Sequence, residues 1–298
     1  VKNNKWNEIT YSEHQNYPID DIEDKILGIL GYGNIGKKVE KIAKVLGMKV
    51  RKRDNERSEL GTDVDTLLIL KTNEKLNYRK PETANLYHIA YLLPERTDLA
   101  VFLRHIMDIG FDGLGAADHL VSEAIYLNDP ENNGIEIYTD RNKERWSYTN
   151  NGDVVMDTLS LNADELYYLS SNSNFRMPDG SRVGHVHMQG VNIPEIRKFY
   201  EDILLLNKTA VMPNAVFMSY DGYHHHFAFN HWDSRISKPG DNTSTGLEAI
   251  EYEVDKERYE HIKNNAEKNL KYPDLEIMDG YFMINDLNNV KLIINNKN

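Results

Sequence analysis

The stretch Ala117–Tyr138, ADHLVSEAIYLNDPENNGIEIY, reads as an apolar strand, a turn opened by Asp129-Pro130, and a second strand carrying one glutamate, Glu136. Proline and asparagine set the turn backbone, while the Ile and Tyr content on either side favours pleated strands. A lone strand glutamate is more often a solvated surface residue than a ligand. What sets Glu136 apart is the company of histidines in other strand-like stretches. These are His88 in NLYHIAYLLP, His185 and His187 in RVGHVHMQG, and His224, His225 and His226 in GYHHHFAFNHW. Strand ends bring such residues together in metal sites. With no cysteine in the chain, any metal must be held by imidazole and carboxylate.

Working outward, the same order of elements recurs: a short apolar strand, an amphipathic helix, then further strands. The second of four such units begins at Asn85 with LYHIAYLL, has a helix near Arg96 to Gly110, and closes on IYLNDPENNGIEIY. The fourth begins at Gly246 with LEAIEYEV, has a helix near Lys256 to Asn269, and closes on YFMINDLNNVKLIIN. Matching turn to turn places Asn128-Asp129 on Asn285-Asp286, and Leu86-Tyr87-His88 on Leu247-Glu248-Ala249. The third unit runs from VGHVHMQG through the helix IPEIRKFYEDILLL to AVFMSYDGYHHHFAFN. Ile196, Phe199, Tyr200 and Ile203 recur there at helical spacing and predict one buried face. Asp140–Ser181 is polar and Asn/Ser-rich and reads as a connector with one short helix; Ser234–Thr245 reads as a second connector. The expected division is an N-terminal half, 1–145, a connector, 146–181, and a C-terminal half, 182–298.

Composition narrows the partners. The chain has 298 residues, 40% hydrophobic and 28% charged, which fits an ordinary globular protein with a sizeable core. A net charge of −12 argues against broad nucleic-acid or anionic-membrane surfaces, since both require basic patches. No apolar run approaches the ~18 residues of a membrane span, and the polar start VKNNKWNEIT lacks a signal-peptide core. The expectation is a cytoplasmic protein acting on a small ligand, with homo-oligomerisation left open.

The first unit differs from the others. Lys25–Asp54 reads as a strand, Gly31-x-Gly33-x-x-Gly36, an amphipathic helix, a second strand and an acid, Asp54. This is the dinucleotide fingerprint, in which glycines allow a tight turn, a helix N-terminus attracts pyrophosphate and the acid takes ribose hydroxyls. Residues 16–54 resemble part of the cofactor domain of D-2-hydroxyacid dehydrogenases. The chain after Asp54 leaves no room for the rest of a Rossmann sheet, without which there is no binding crevice. The segment therefore reads as a packing module, with Gly31, Gly33, Gly36 and Asp54 as cofactor-binding residues only if NAD binds, which is not expected.

From about Val64 onward the chain resembles the two-domain vicinal-oxygen-chelate superfamily, specifically its catechol 2,3-dioxygenase and glyoxalase-like members. LYHIAYLLP, DHLVSEAIYLNDPENNGIEIY, VGHVHMQG and GYHHHFAFNHW carry the resemblance. It implies an α+β fold of repeated βαβββ modules paired into two open barrels, the first module being replaced by the Rossmann-like βαβ segment. It also implies a metal held by His185, His88 and Glu136, a donor set typical of non-haem Fe(II), with Mn or Zn as alternatives. Module pairing decides whether the site exists. In chain order His185 would face Ala249 and Ile293, which replace the matching His and Glu; pairing the second module with the third completes the triad.

Two further positions follow from the resemblance. His225 takes the place of an acid/base histidine, for which an imidazole is suited at neutral pH, and Tyr126 that of a tyrosine bonding substrate. A regular strand through this region would turn His224 and His226 to the face opposite His225, with one of those two as the alternative inward residue. His119 and His187 stand equally as residues around the site or as structural histidines, while His14, His105 and His261 receive no role. Trp146, Phe111 and Trp232 read first as core aromatics and second as pocket walls. The implied function is a metal-dependent extradiol ring-cleaving dioxygenase of aromatic catabolism, taking a catechol-like aromatic and dioxygen. The alternatives are a glyoxalase-type metal-dependent lyase or isomerase, and a non-catalytic small-ligand-binding protein of the same fold.

Overall fold

A computed structural model describes residues 43, 45–53, 57–71, 73, 75–130, 132–241, 243–269 and 275–297. The fingerprint residues Gly31, Gly33, Gly36 and Asp54 lie outside them, as does His14. The described part of the first unit is an antiparallel meander of β1 (Lys49–Arg53), β2 (Arg57–Gly61) and β3 (Thr66–Lys71). Antiparallel closing strands belong to a βαβββ unit, whereas a dinucleotide crevice needs parallel ones. Leu46, Val50 and Leu60 are buried there.

The other three units each complete the βαβββ order. The second comprises β4 (Leu86–Leu92), α1 (Arg96–Asp108), β5 (Gly115–Asp118), β6 (Ser122–Asn128) and β7 (Gly134–Asp140). The connector carries the short helix α2 (Ala163–Tyr168). The third unit comprises β8 (Arg182–Gln189), α3 (Ile193–Asp202), β9 (Asn207–Met212), β10 (Ala215–Ser219) and β11 (Phe227–Asn230). The fourth comprises β12 (Ala249–Val254), α4 (Lys256–Lys268), β13 (Glu276–Ile277), β14 (Tyr281–Asn285) and β15 (Lys291–Asn296).

Sheet order follows one rule in all three: the first strand lies beside the last. The second and third units form one eight-stranded sheet, β5-β6-β7-β4-β8-β11-β10-β9, and the fourth forms β12-β15-β14-β13. The first strand runs parallel to the last in the third and fourth units. The helix is the crossover that a parallel neighbour requires.

Cα packing divides the chain into two compact units, 1–74 with 90–146 and 156–184, and 75–89 with 147–155 and 185–298. In the first, α1 starts from a capping box in which the Glu95 amide donates to the Asp98 carboxylate. It buries Leu99, Phe102, Leu103 and Ile106. In the second, α3 opens with Asn192 accepting from the Glu195 amide and buries Ile196, Phe199 and Tyr200, with Ile203 buried at its end. Burial of each such side chain contributes roughly 1.5–3 kcal/mol. Trp146 is buried, and its indole Nε1–H donates to the Arg141 carbonyl.

Candidate metal centre

Local sequence explains how β8 brings its histidine in. A Cβ on Gly184 would lie 1.8 Å from the Tyr138 hydroxyl, so only glycine lets β8 pass Tyr138 immediately before His185. One residue on, His185 is buried with its Nε2 3.3 Å from Nε2 of the buried His88 on β4. The His225 ring lies 4.0 Å from the His185 ring, centroid to centroid. Burial first, then the neighbouring imidazoles of His185 and His224, holds the His225 pKa well below the ordinary histidine value. A group so placed rests as the neutral imidazole, competent to accept a proton.

Glu136 is buried on β7, opposite Tyr126 of β6 in the antiparallel register. Directly opposed residues share a sheet face, so the phenol and the carboxylate project to the same side. Tyr126 is held in turn by His119, whose Nε2 is 2.6 Å from the phenol oxygen. The other ring nitrogen of His119, Nδ1, lies 2.8 Å from the Asp157 carbonyl oxygen. A carbonyl only accepts, so Nδ1 carries the proton. In the neutral ring Nε2 then accepts from the Tyr126 hydroxyl and turns the phenol's lone pairs outward. One donor atom from each of His88, Glu136 and His185 lies within 4.8 Å of the other two, and all three residues are buried.

The histidine run departs from the sequence expectation. Strand β11 begins only at Phe227, so residues 224–226 precede it and do not alternate as a regular strand would. His224 is therefore not on the face opposite His225; the two Nδ1 atoms are 2.7 Å apart. His226 does part from them, its Nδ1 accepting from the Tyr220 amide and its ring stacking on Tyr223. His187 pairs with the Asn230 amide at 2.9 Å and packs its ring on His88 at 4.9 Å. Trp232 is not core: it is half exposed and rests its edge on Tyr87 and His187. The ion pairs of Glu123, Arg96 and Arg141 beneath the His119 turn were missed in the sequence, though Asp118 and Glu123 flanking that turn are a readable signal.

Repeated βαβββ units with first strand beside last, and a buried two-histidine, one-carboxylate group, define a protein of the vicinal-oxygen-chelate class with the glyoxalase fold. Within that class the chain belongs to the catechol-2,3-dioxygenase family. It is 33% identical to the catechol-2,3-dioxygenase of Bacillus subtilis (strain 168) over 210 residues, 68% of this chain and 73% of that protein. Two solved structures share the fold. A putative dioxygenase from Bacillus subtilis subsp. subtilis str. 168 has TM-score 0.54 at 11% identity, covering 91% of this chain and 86% of that one. The cppA protein from Streptococcus pneumoniae TIGR4 has TM-score 0.50 at 14% identity, covering 86% and 90%.

The N-terminal segment has a different likeness. Residues 1–75 match the family of D-isomer specific 2-hydroxyacid dehydrogenases, NAD binding domain. The glycerate dehydrogenase of Methylorubrum extorquens (strain ATCC 14718 / DSM 1338 / JCM 2805 / NCIMB 9133 / AM1) is 40% identical over 68 residues, 23% of this chain and 22% of that enzyme. Less than a quarter of the dehydrogenase is thus represented.

Proposed function

We propose that the chain is a metal-dependent extradiol dioxygenase that cleaves a catechol-like ring, with Fe(II) held by His88, Glu136 and His185. The observation that carries this is the grouping of those three donors. Their spacing fits a metal: ligand distances of roughly 2.0–2.2 Å put neighbouring donors roughly 3.0–3.4 Å apart, and the two imidazole Nε2 atoms are 3.3 Å apart. Two imidazoles and one carboxylate leave coordination positions open and suit ferrous iron. Bound there, Fe(II) would supply a Lewis acid for a vicinal diol and a path for electrons from diol to dioxygen.

The surrounding residues fit the proton chemistry. His225, kept neutral by burial and by adjacent imidazoles, accepts a proton from the diol. Tyr126, fixed by His119, offers its phenol oxygen to a substrate hydroxyl. Burial of all three metal-binding side chains keeps water away from the reacting centre. The glyoxalase-type alternative calls for a fourth protein ligand, commonly glutamate, and among the described residues the group has three members. Anaerobic loading with Fe(II), followed by catechol and air, tests the proposal. Dioxygen uptake with a ring-opened product is expected; an iron-loaded protein that leaves catechols intact would overturn it.

A further inference from the structure

Below the turn that carries His119 lies a charge arrangement that the metal chemistry does not use. Asp118 and Glu123 face each other directly across the β5–β6 ladder. Like charges so placed repel and open a hairpin. Here Arg141 bridges them, its Nη2 donating to Asp118 Oδ2 at 2.6 Å and to Glu123 Oε1 at 3.0 Å. Arg96 grips Glu123 from α1 through Nε at 2.5 Å and Nη2 at 3.2 Å, and reaches Glu165 at 2.9 Å. Glu123 is 5% exposed, so these two guanidinium groups stand in for the water its carboxylate has lost.

The turn itself is under backbone strain. Leu120 has φ of 69°, a left-handed conformation costly for a branched side chain. Three contacts hold it: Asp118 Oδ1 accepts from the Leu120 amide, the His119 amide donates to the Ser122 carbonyl, and the Arg141 amide donates to the Val121 carbonyl. Asp118 also exchanges both backbone hydrogen bonds with Leu159, two residues from the Asp157 carbonyl that His119 uses. Glu123 lies an odd number of residues from Tyr126 on the same strand, hence on the opposite sheet face. The cluster acts from behind the sheet and touches no reacting atom.

We infer that Arg141, by neutralising the opposed Asp118–Glu123 pair, is the positioning residue that holds the strained turn and so fixes the tautomer of His119 and the aim of Tyr126. The inference rests on the assignment of His119 and Tyr126 to the active site made above. A misplacement of about 1 Å in a reacting group costs up to about 100-fold in rate. Arg141→Met should therefore lower kcat of the Fe(II)-loaded full chain by about tenfold while changing KM less.

Two comparisons separate positioning from mere structural support. In a His119→Ala background Arg141→Met should cost less than about twofold, because residues acting through one another are non-additive. Adding Asp118→Asn to Arg141→Met should recover most of the loss, since it removes the repulsion and keeps an oxygen for the Leu120 amide. A third readout needs neither metal nor turnover: ¹⁵N chemical shifts of His119 in the metal-free chain. The parent should show the Nδ1-protonated form, and Arg141→Met a mixture of both tautomers. Unchanged His119 signals, with equal losses in both backgrounds and no recovery by Asp118→Asn, would overturn the inference. If the His119 signals respond but the parent does not cleave catechols, the dioxygenase reading fails while the positioning role stands.

Discussion

The second and fourth units are two copies of one scaffold that carry different side chains at matching positions. Each closes its last hairpin with the same turn: the Asp129 amide donates to the Asn133 carbonyl and the Asp286 amide to that of Val290. Asn132 and Asn289 take the same left-handed conformation, with φ of 66° and 59°. Register then aligns the faces, so that Tyr126 opposite Glu136 in one corresponds to Met283 opposite Ile293 in the other. With Ala249 in the place of His88, these three polar positions of the second unit are apolar in the fourth. Asp286 of the fourth unit serves packing instead, accepting from the Tyr200 hydroxyl of α3 at 2.9 Å. Backbone geometry is set by the turn and the strand pattern, and the chemistry is added at positions the backbone does not need.

Removing the proposed metal donors from the second unit should have the largest effect. Glu136→Ala should abolish iron retention and lower ring cleavage by at least about 1000-fold, read by elemental analysis and dioxygen uptake. His225→Gln should leave iron content intact and lower kcat by about 10²–10⁴-fold, as removal of a general base does.

The structural copy responds differently. Burial raises the Asp286 pKa from the usual carboxylate value of 3.8 to about 6, against the lowering effect of the Val290 and Asn288 amides and the Tyr200 hydroxyl. The folded state therefore binds this proton more tightly than the unfolded state. Stability from this group is complete below about pH 4 and is lost as pH rises to about 6, by up to about 3 kcal/mol. Asp286→Asn should flatten the denaturation profile across that window. The smallest effect belongs to Ile293→Glu, which restores a carboxylate without its histidines. On a half-buried strand position it should cost about 1 kcal/mol or less and leave iron content and activity unchanged.

Much of this was legible because a repeat supplies its own register. Aligning the Asp129 and Asp286 turns marked Glu136 by contrast with Ile293. The second and third units do share one sheet, with β4 beside β8, as the pairing argument required. The His224–His225 contact was not legible, because it depends on where β11 starts and three consecutive histidines carry no periodicity that marks that point. Nor was the Arg141 bridge, since long side chains reach across registers that only the folded turn defines. In the first unit the glycine pattern spoke only for residues 25–54, and residues 57–71 follow it as antiparallel strands. Within them Leu67–Leu70 is a short continuous aliphatic run, which suits a strand in either arrangement.

We propose one metal ion per chain, held by His88, Glu136 and His185, and none in the fourth unit. Elemental analysis of Fe(II)-reconstituted, desalted protein beside His185→Ala tests it directly. One iron per parent chain and none in the variant is the predicted result; iron retained equally by both would contradict it.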